Sequence, residues 1–246
     1  MIVALDKPSG WTPLEALDAL RSRTSGAEPM VYAGRLDPMA EGVLLVLTGE
    51  DRHALPEHLG HDKEYVATVL FGVTSDTFDA LGRITLGTLP DPDACATALA
   101  GLVGAHPLPL PAWSAYKVRG RPLHAWAAEG RLGEIELPVR EMRVTTAAVQ
   151  AVGRETLAGL LPDLRSRIGR VRGTFRQAEA LADWEALAGQ DPPVVAIRAR
   201  LTVTSGTYVR SLAHAVGQSL GCGALLLALR RTRVGPWGEG DAERVG

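Results

Sequence analysis

The sequence has little cysteine and no long apolar run, and both absences restrict the class of protein. Its 246 residues contain two cysteines, Cys95 and Cys222, and no CxxC pair, which excludes a disulfide scaffold and the usual zinc spacings. The longest apolar stretches, 43–47 and 224–229, fall far short of the roughly 20 residues that cross a bilayer. No basic segment precedes an apolar core at the N-terminus, so we expect a cytoplasmic protein without a membrane partner.

Motifs of the common phosphate-binding and nucleophilic-serine sites are also missing. The sequence contains no GxSxG, no Walker loop and no GxGxxG in a βαβ context. His53, His58 and His61 fit no standard zinc spacing, so we interpret them as surface-loop residues and predict no metal. Cys222, which lies between two glycines, is interpreted as a small packed residue.

The formal net charge of -2 conceals an uneven distribution. Residues 1–112 contain 7 Lys and Arg against 15 Asp and Glu, whereas residues 113–176 contain 12 against 6. Residues 196–236 contain six arginines and no acidic residue. If the two basic segments share a face, they form an electrostatic footprint for phosphates. A salt-bridged surface is the alternative.

Local patterns predict one α+β domain over residues 1–246, with a mixed, mostly antiparallel sheet flanked by helices. Thr12, Pro13 and Glu15 form a helix start with a capping box, and this helix should end near Ser25 and Gly26. Strands are expected over 43–48, 63–72 and 194–204. Further helices are expected over 93–103, 123–129, 206–220 and 224–231, residues 74–82 should form a loop, and residues 139–175 show no clear pattern.

Residues 104–138 are predicted to form an inserted loop. Its first part has proline at positions 107, 109 and 111 and is followed by SAYKVRGRPL. Proline at alternate positions is incompatible with a helix or a central strand. A long loop that is also basic and aromatic indicates a functional role.

The segment GRLDP, residues 34–38, contains the strongest candidate for a reactive group. Asp37 is followed by Pro38 and lies between glycines at positions 34 and 42, an arrangement that holds a carboxylate in a fixed pose. The alternative is a helix N-cap at Asp37, with Pro38 in the first turn and Glu41 closing a capping box.

The sequence resembles TruB-type tRNA pseudouridine synthases over nearly its full length. Similar blocks occur in the family's order at residues 5–12 (LDKPSGWT), 34–42 (GRLDPMAEG), 63–65 with 71–82 (KEY and FGVTSDTFDALG), 114–123 (SAYKVRGRPL), 205–212 (SGTYVRSL) and 221–237 (GCGALLLALRRTRVGPW). Six ordered blocks are more specific than any single motif. The resemblance implies that uridine is isomerised to pseudouridine, without a cofactor, in the T-loop of tRNA at position 55.

The same resemblance assigns candidate roles to individual residues. Asp37 corresponds to the family's nucleophile, Arg210 to the arginine that pairs with it, and Tyr65 to a tyrosine that stacks on the flipped base. The substrate-binding candidates are Tyr32, Arg35, Lys117, Arg119, Arg121, Tyr208, Leu229, Arg230 and Arg231. Considered singly, the tyrosines could be core residues and the arginines surface residues.

Three departures from the family pattern affect these expectations. Tyr32 replaces a usual histidine, and Arg35 replaces a usual threonine and makes the loop similar to RluA-type synthases. After residue 237 the sequence has no segment long enough for the RNA-binding PUA domain that the family commonly carries. We therefore expect a monomer that binds the T-stem-loop of tRNA through the basic loop.

Three other functions remain open at this point. A tRNA-folding chaperone would need the fold but not the carboxylate of Asp37. The same chemistry on another RNA is suggested by Tyr32 and Arg35. An Asp-dependent glycosidase is the weakest alternative, because such enzymes normally need two carboxylates at a set separation.

Overall fold

The computed structural model describes residues 1–24 and 28–245. Its strands are β1 (Ile2–Lys7), β2 (Met30–Ala33), β3 (Glu41–Thr48), β4 (Lys63–Phe71), β5 (Val73–Ser75), β6 (Ile84–Leu86), β7 (Gly104–Pro109), β8 (Lys117–Val118), β9 (Arg121–Pro122), β10 (Val139–Thr156), β11 (Pro193–Val203), β12 (Ala224–Val234), β13 (Trp237–Gly238) and β14 (Glu243–Arg244).

The helices are α1 (Pro13–Arg23), α2 (Leu55–Gly60), α3 (Pro92–Ala100), α4 (Leu123–Ala128), α5 (Leu157–Gly169), α6 (Gln177–Ala188) and α7 (Val209–Ser219). The capping box of Thr12 and Glu15 is confirmed: the Thr12 hydroxyl accepts from the Glu15 amide, and a Glu15 carboxylate oxygen accepts from the Thr12 amide at 2.7 Å. The predicted end of α1 near Ser25 and Gly26 lies outside the described residues. No helix in the described ranges is long and apolar enough to cross a membrane.

A large mixed sheet organises the protein and confirms the predicted α+β class. Its strands run in the order β14-β1-β3-β12-β4-β11-β10-β7, with β2 added to β3 and β13 to β12. The β1–β14 and β3–β12 pairs are parallel, and the other pairs in this sheet are antiparallel. The strands predicted around 43–48, 63–72 and 194–204 are β3, β4 and β11.

The helix predicted over 224–231 is wrong, because these residues form β12 in the middle of the sheet. β12 pairs with β3 on one side and β4 on the other. Alternate leucines of its apolar run are buried against opposite faces: Leu226 joins the core beneath α7, and Leu225 the core beneath α5 and α6. A strand covered on both faces is continuously apolar, so burial outweighs the helix propensity of alanine and leucine.

The loop expected from residue 104 is also partly wrong. Residues Gly104–Pro109 form β7, which pairs with β10 and is the edge strand at one end of the sheet order. Proline is tolerated there because the outer side of an edge strand needs no amide donor. The difficult region 139–175 forms β10, α5 and the connection that follows α5.

Helices cover both faces of the central strands. Val69 and Phe71 of β4 point into the core beneath α3 and α7, and Leu70 points into the core beneath α5 and α6. This division follows from the alternation of side chains along a strand. Cys222 is buried in the first of these cores, as its interpretation as a packed residue predicted.

Candidate active site

The site is built on the loop between β2 and β3, which carries Asp37. The Asp37 carbonyl accepts from the Ala40 amide in a tight turn, and Glu41 begins β3 directly afterwards. No helix follows Asp37, so the N-cap alternative is wrong. Gly42 has φ +101, and a Cβ there would lie 2.2 Å from the carbonyl oxygen of Arg231. Glycine is therefore required where the loop enters the sheet.

Arg210, in the first turn of α7, approaches Asp37 from the opposite side of the site. Its Nη2 donates to Asp37 Oδ1 at 3.2 Å, and Nε lies 2.8 Å from Oδ2 without hydrogen-bond alignment. The Arg210 side chain is 5% exposed and that of Asp37 is 39% exposed. The pair therefore presents a carboxylate to solvent and keeps its arginine inside. A planar guanidinium fixes the carboxylate more firmly than a lysine would.

Sequence reasoning missed Asp79, the second carboxylate on Arg210. Its Oδ2 lies 3.6 Å from Arg210 Nη1, and its Oδ1 accepts from the Thr77 hydroxyl and the Leu81 amide at 2.6 and 3.0 Å. Burial raises the pKa of the Asp79 carboxyl, and the charge of Arg210 opposes that rise. The available signal was an acid within the polar block 74–82, which we interpreted only as a loop.

Backbone acceptors complete the environment of Arg210. Nη1 donates to the carbonyls of Thr77 and Trp113 at 2.9 and 3.4 Å. Burial alone lowers the pKa of Arg210, but the charges of Asp37 and Asp79 outweigh it, and the pKa is raised. The Arg210 guanidinium therefore stays charged and buried, and it holds the Asp37 carboxylate in one orientation.

Two buried basic residues, Lys7 and Arg231, donate hydrogen bonds to the backbone of the loop between β2 and β3. Lys7 Nζ donates to the carbonyls of Pro8, Trp11 and Pro38, the last at 3.4 Å. Burial lowers the pKa of Lys7 to about 7, against the opposing charge of Asp37. This role was not predicted for Lys7, although it lies within the block 5–12.

Arg231 was predicted to bind substrate, but the structure places it beneath the loop. It is 1% exposed, and its guanidinium donates to the carbonyls of Val43 and Arg35 at 2.6 and 3.1 Å. A third bond of 3.5 Å reaches the Gly34 carbonyl. Arg231 therefore holds the loop backbone and does not face solvent.

The predicted pocket residues converge only in part. Leu229 lines a small depression together with Asp37 and Arg210. Burial raises the pKa of Tyr208, and the charge of Asp37 raises it further, so Tyr208 lies within electrostatic reach of the carboxylate. Tyr65 is buried in the same core cluster as Leu229.

Tyr32 faces away from this group. It lies on β2 and packs against the cluster formed by α1, β1 and β3. The structure therefore does not bring Tyr32 together with Asp37, although Arg35 remains exposed on the loop between β2 and β3.

Among the basic candidates, some have no ion pair within the described residues and others are already engaged. Lys117 and Arg119 are exposed on the β8–β9 hairpin, whose turn has positive φ at Arg119 and Gly120, the geometry of a tight two-residue turn. Arg121 forms an ion pair with Glu129. Arg230 is paired with Asp6, Glu41 and Glu239.

The histidine cluster does not resemble a metal site in the structure. His58 is buried on α2, and its ring lies 5.3 Å from those of His61 and Trp237, so the surface-loop interpretation is wrong for His58. Over the ranges 1–24 and 28–245, no group of three or more His, Cys, Asp or Glu side chains is placed to hold a metal.

Fold and site together define an α+β protein built around one solvent-facing carboxylate that a buried arginine orients. The chain belongs to the TruB family of pseudouridylate synthases: the model of that family's N-terminal domain matches residues 23–174.

Curated relatives agree with this assignment. Proteins named tRNA pseudouridine synthase B from Nitratidesulfovibrio vulgaris and Thermobifida fusca are each 34% identical, over 99% and 96% of this chain. One from Xanthomonas euvesicatoria is 36% identical over 96%. The chain spans 66%, 70% and 64% of the lengths of these three relatives.

Solved structures share the fold. The chain aligns over 99% of its length with a chain of a Cbf5-Nop10-Gar1 complex, with a TM-score of 0.62, 22% identity and 52% of that chain covered. A chain of an H/ACA RNP bound to a substrate RNA containing 2'-deoxyuridine gives a TM-score of 0.58 at 21% identity, with 50% of that chain covered.

Proposed function

We propose that this protein isomerises uridine to pseudouridine in tRNA, at position 55 of the T-loop, with Asp37 as the nucleophile. The observation that carries the proposal is the Asp37–Arg210–Asp79 arrangement, in which a buried guanidinium orients a half-exposed carboxylate. The relatives named tRNA pseudouridine synthase B support the choice of tRNA as substrate.

The reaction needs few chemical groups. The carboxylate of Asp37 attacks the target nucleotide, and the N1–C1′ glycosidic bond breaks. The freed uracil turns, C5 bonds to C1′, and the bond to Asp37 breaks, which regenerates the carboxylate. C5 then loses its proton to solvent, and N1 takes up a proton in its place. The product is an isomer of the substrate, so atoms and electrons balance without a redox partner. Asp37 acts as the covalent catalyst of the proposed step.

Neighbouring side chains have distinct tasks in this scheme. Tyr65 and Tyr208 provide aromatic surfaces for the extruded base, and Leu229 forms an apolar wall. The base must leave its stack to reach a carboxylate in a pocket. Lys117 and Arg119, exposed on the hairpin, contact the RNA backbone, as does Arg35 beside the site.

The test uses a T-stem-loop RNA that carries tritium at C5 of its uridines. Wild type should release tritium to water, because C5 becomes the new attachment point. Asp37→Asn keeps the shape of the side chain and an acceptor for Arg210 but is not a nucleophile, so no release is expected. Asp93→Asn, at an exposed position on α3, is the matched control and should behave as wild type.

RNA binding is measured in parallel for each variant. Binding without release by Asp37→Asn supports the nucleophile. Binding without release by wild type contradicts the proposal and favours a tRNA-folding chaperone, and release from another RNA but not from the T-stem-loop would show that the substrate is wrong.

A further inference from the structure

The connection between β10 and β11 is unusually long for neighbouring antiparallel strands. These strands pair up to Thr156 and Pro193, and a hairpin needs only two to about five residues to join such ends. Here the connection contains α5 and α6 and the segment between them, residues 170–176. We call residues 170–176 the arginine ledge.

The ledge is attached to the backbone of the catalytic loop. The Arg172 amide donates to the Gly10 carbonyl at 2.8 Å, and the Gly10 amide donates to the Pro38 carbonyl at 2.8 Å. Pro38 directly follows Asp37, so two hydrogen bonds separate the ledge from the neighbour of the proposed nucleophile. Gly10 has φ +91, and a Cβ there would lie 2.2 Å from the Arg170 carbonyl oxygen.

The other end of the ledge contacts Asp76 and Trp113. Arg176 is bidentate to Asp76 at 2.9 and 3.1 Å, and its guanidinium lies 3.7 Å from the ring centre of Trp113. The Trp113 carbonyl in turn accepts from Arg210. The ledge is therefore linked at one end to the loop that carries Asp37 and at the other, through Trp113, to Arg210.

The charged residues of the ledge, and of the six residues before it in sequence, are all arginines. Residues 164–176 contain five arginines and no acid. Arg165, Arg167 and Arg176 are neutralised by ion pairs with carboxylates elsewhere.

Arg170 and Arg172 differ from these three arginines. Both are exposed, and within the described part of the chain no carboxylate pairs with either. The Arg172 guanidinium lies 4.2 Å from the ring centre of Trp11, a cation–π contact that limits its freedom before any ligand arrives.

Space for a ligand lies directly beside Arg170. A cleft of about 550 Å³ is bordered by Arg170 and Arg244. Two carboxylates, Asp6 and Glu41, also border the cleft, but both are paired with Arg230. Asp6 and Glu41 thus share the single charge of Arg230, whereas Arg170 and Arg244 border the cleft without a carboxylate partner among the described residues.

We propose that the arginine ledge binds the sugar–phosphate backbone of the RNA strand that carries the target uridine, with Arg170 and Arg172 contacting phosphates. This inference rests on the proposed function and adds a second RNA surface to the β8–β9 hairpin. Unpaired guanidiniums, of which that of Arg172 is held against Trp11, suit phosphate oxygens, since phosphate contacts position a nucleic acid.

The test compares two double variants of equal charge. Arg170→Gln with Arg172→Gln removes the free guanidiniums, whereas Arg165→Gln with Arg167→Gln removes guanidiniums that are already paired. The Kd for a labelled T-stem-loop RNA is measured between 50 and 200 mM KCl. Loss of two phosphate contacts lowers the slope of log K against log salt by about 1.4.

That slope corresponds to a clear difference in binding. The ratio of the Kd of the ledge variant to that of wild type should fall about sevenfold between 50 and 200 mM KCl. The control variant, Arg165→Gln with Arg167→Gln, should keep nearly the wild-type slope. Arg170→Lys with Arg172→Lys keeps the charge and should restore most of the slope, which separates loss of contact from loss of fold. Equal salt slopes for the two double glutamine variants would overturn the proposal that the ledge binds RNA. Wild-type affinity in both variants would overturn it as well.

Tritium release by wild type is recorded in the same experiment. The absence of release would refute the proposed reaction, whereas the salt slopes test whether the ledge contacts phosphates. A wild-type protein that does not bind the stem-loop at all would overturn the ledge as well.

Discussion

Replacement of Lys7 by methionine tests whether the buried amine beneath the loop that carries Asp37 sets the pH dependence of stability. Lys7 is fully buried, and burial lowers its pKa from the ordinary 10.5 to about 7. Between these two values the unfolded chain holds a proton that the folded protein has released. Stability therefore rises with pH in this window, and the contribution is lost as the pH falls towards 7.

The size of the effect follows from the two pKa values. A full difference of one proton adds about 1.4 kcal/mol per pH unit, and because Lys7 is half protonated at pH 7, the gain up to pH 9 is about 2 kcal/mol. For a chain of this length that gain raises Tm by roughly 4–8 °C. Methionine fills a similar volume and cannot titrate, so Lys7→Met should lack this gain.

The assay is urea unfolding of wild type and Lys7→Met at pH 7 and pH 9. Lys63, whose pKa burial lowers to about 8, contributes equally to both proteins and cancels in the comparison. The variant should also lose stability at both pH values, because carbonyls of the loop lose a donor. A parallel rise in the unfolding free energy of both proteins would refute the assignment of the pH dependence to Lys7.

Three further substitutions test other parts of the site. Asp79→Asn removes a charge that faces Arg210, and kcat in the tritium assay should fall on the order of 10²-fold with little change in KM; a wild-type kcat would exclude an orienting role. Arg231→Met removes the donor of two loop carbonyls and of the Val43 carbonyl in β3, and should lower the unfolding free energy by about 2–5 kcal/mol; an unchanged urea midpoint would contradict this. Trp184→Ala opens a cavity under α6 and removes a bond to the Ala80 carbonyl, at a cost of about 3–5 kcal/mol, whereas Trp184→Phe should cost much less.

Local sequence signals predicted the elements whose stability is decided locally. The start of α1 depends on contacts within four residues of Thr12, and β4 and β11 show the alternation expected of strands. The pairing of Asp37 with Arg210, 173 residues apart, came from the ordered motifs of the family, since no local pattern could bring these residues together.

The failures have a common physical cause. β12 looks helical until the strands that border it are known, because Leu and Ala suit a helix as well as a doubly covered strand. Asp79 and Lys7 become part of the site only through contacts with residues far away in sequence. The arginine ledge could not be predicted for the same reason, because its position depends on contacts with Gly10 and Trp113, which are far away in sequence.

The position of β12 has a consequence for how the protein is made. β3 and β4 are synthesised early, yet the strand that joins them, Ala224–Val234, leaves the ribosome more than 150 residues later. Until then the facing edges of β3 and β4 lack their partner, and such edges invite pairing with other chains. Arg210 precedes β12 and Arg231 belongs to it, so the finished site appears only after β12 has been synthesised. An intermediate with the complete site is therefore not expected on the nascent chain before β12 is made, and slow, non-local closure of the sheet should govern the yield of folded protein.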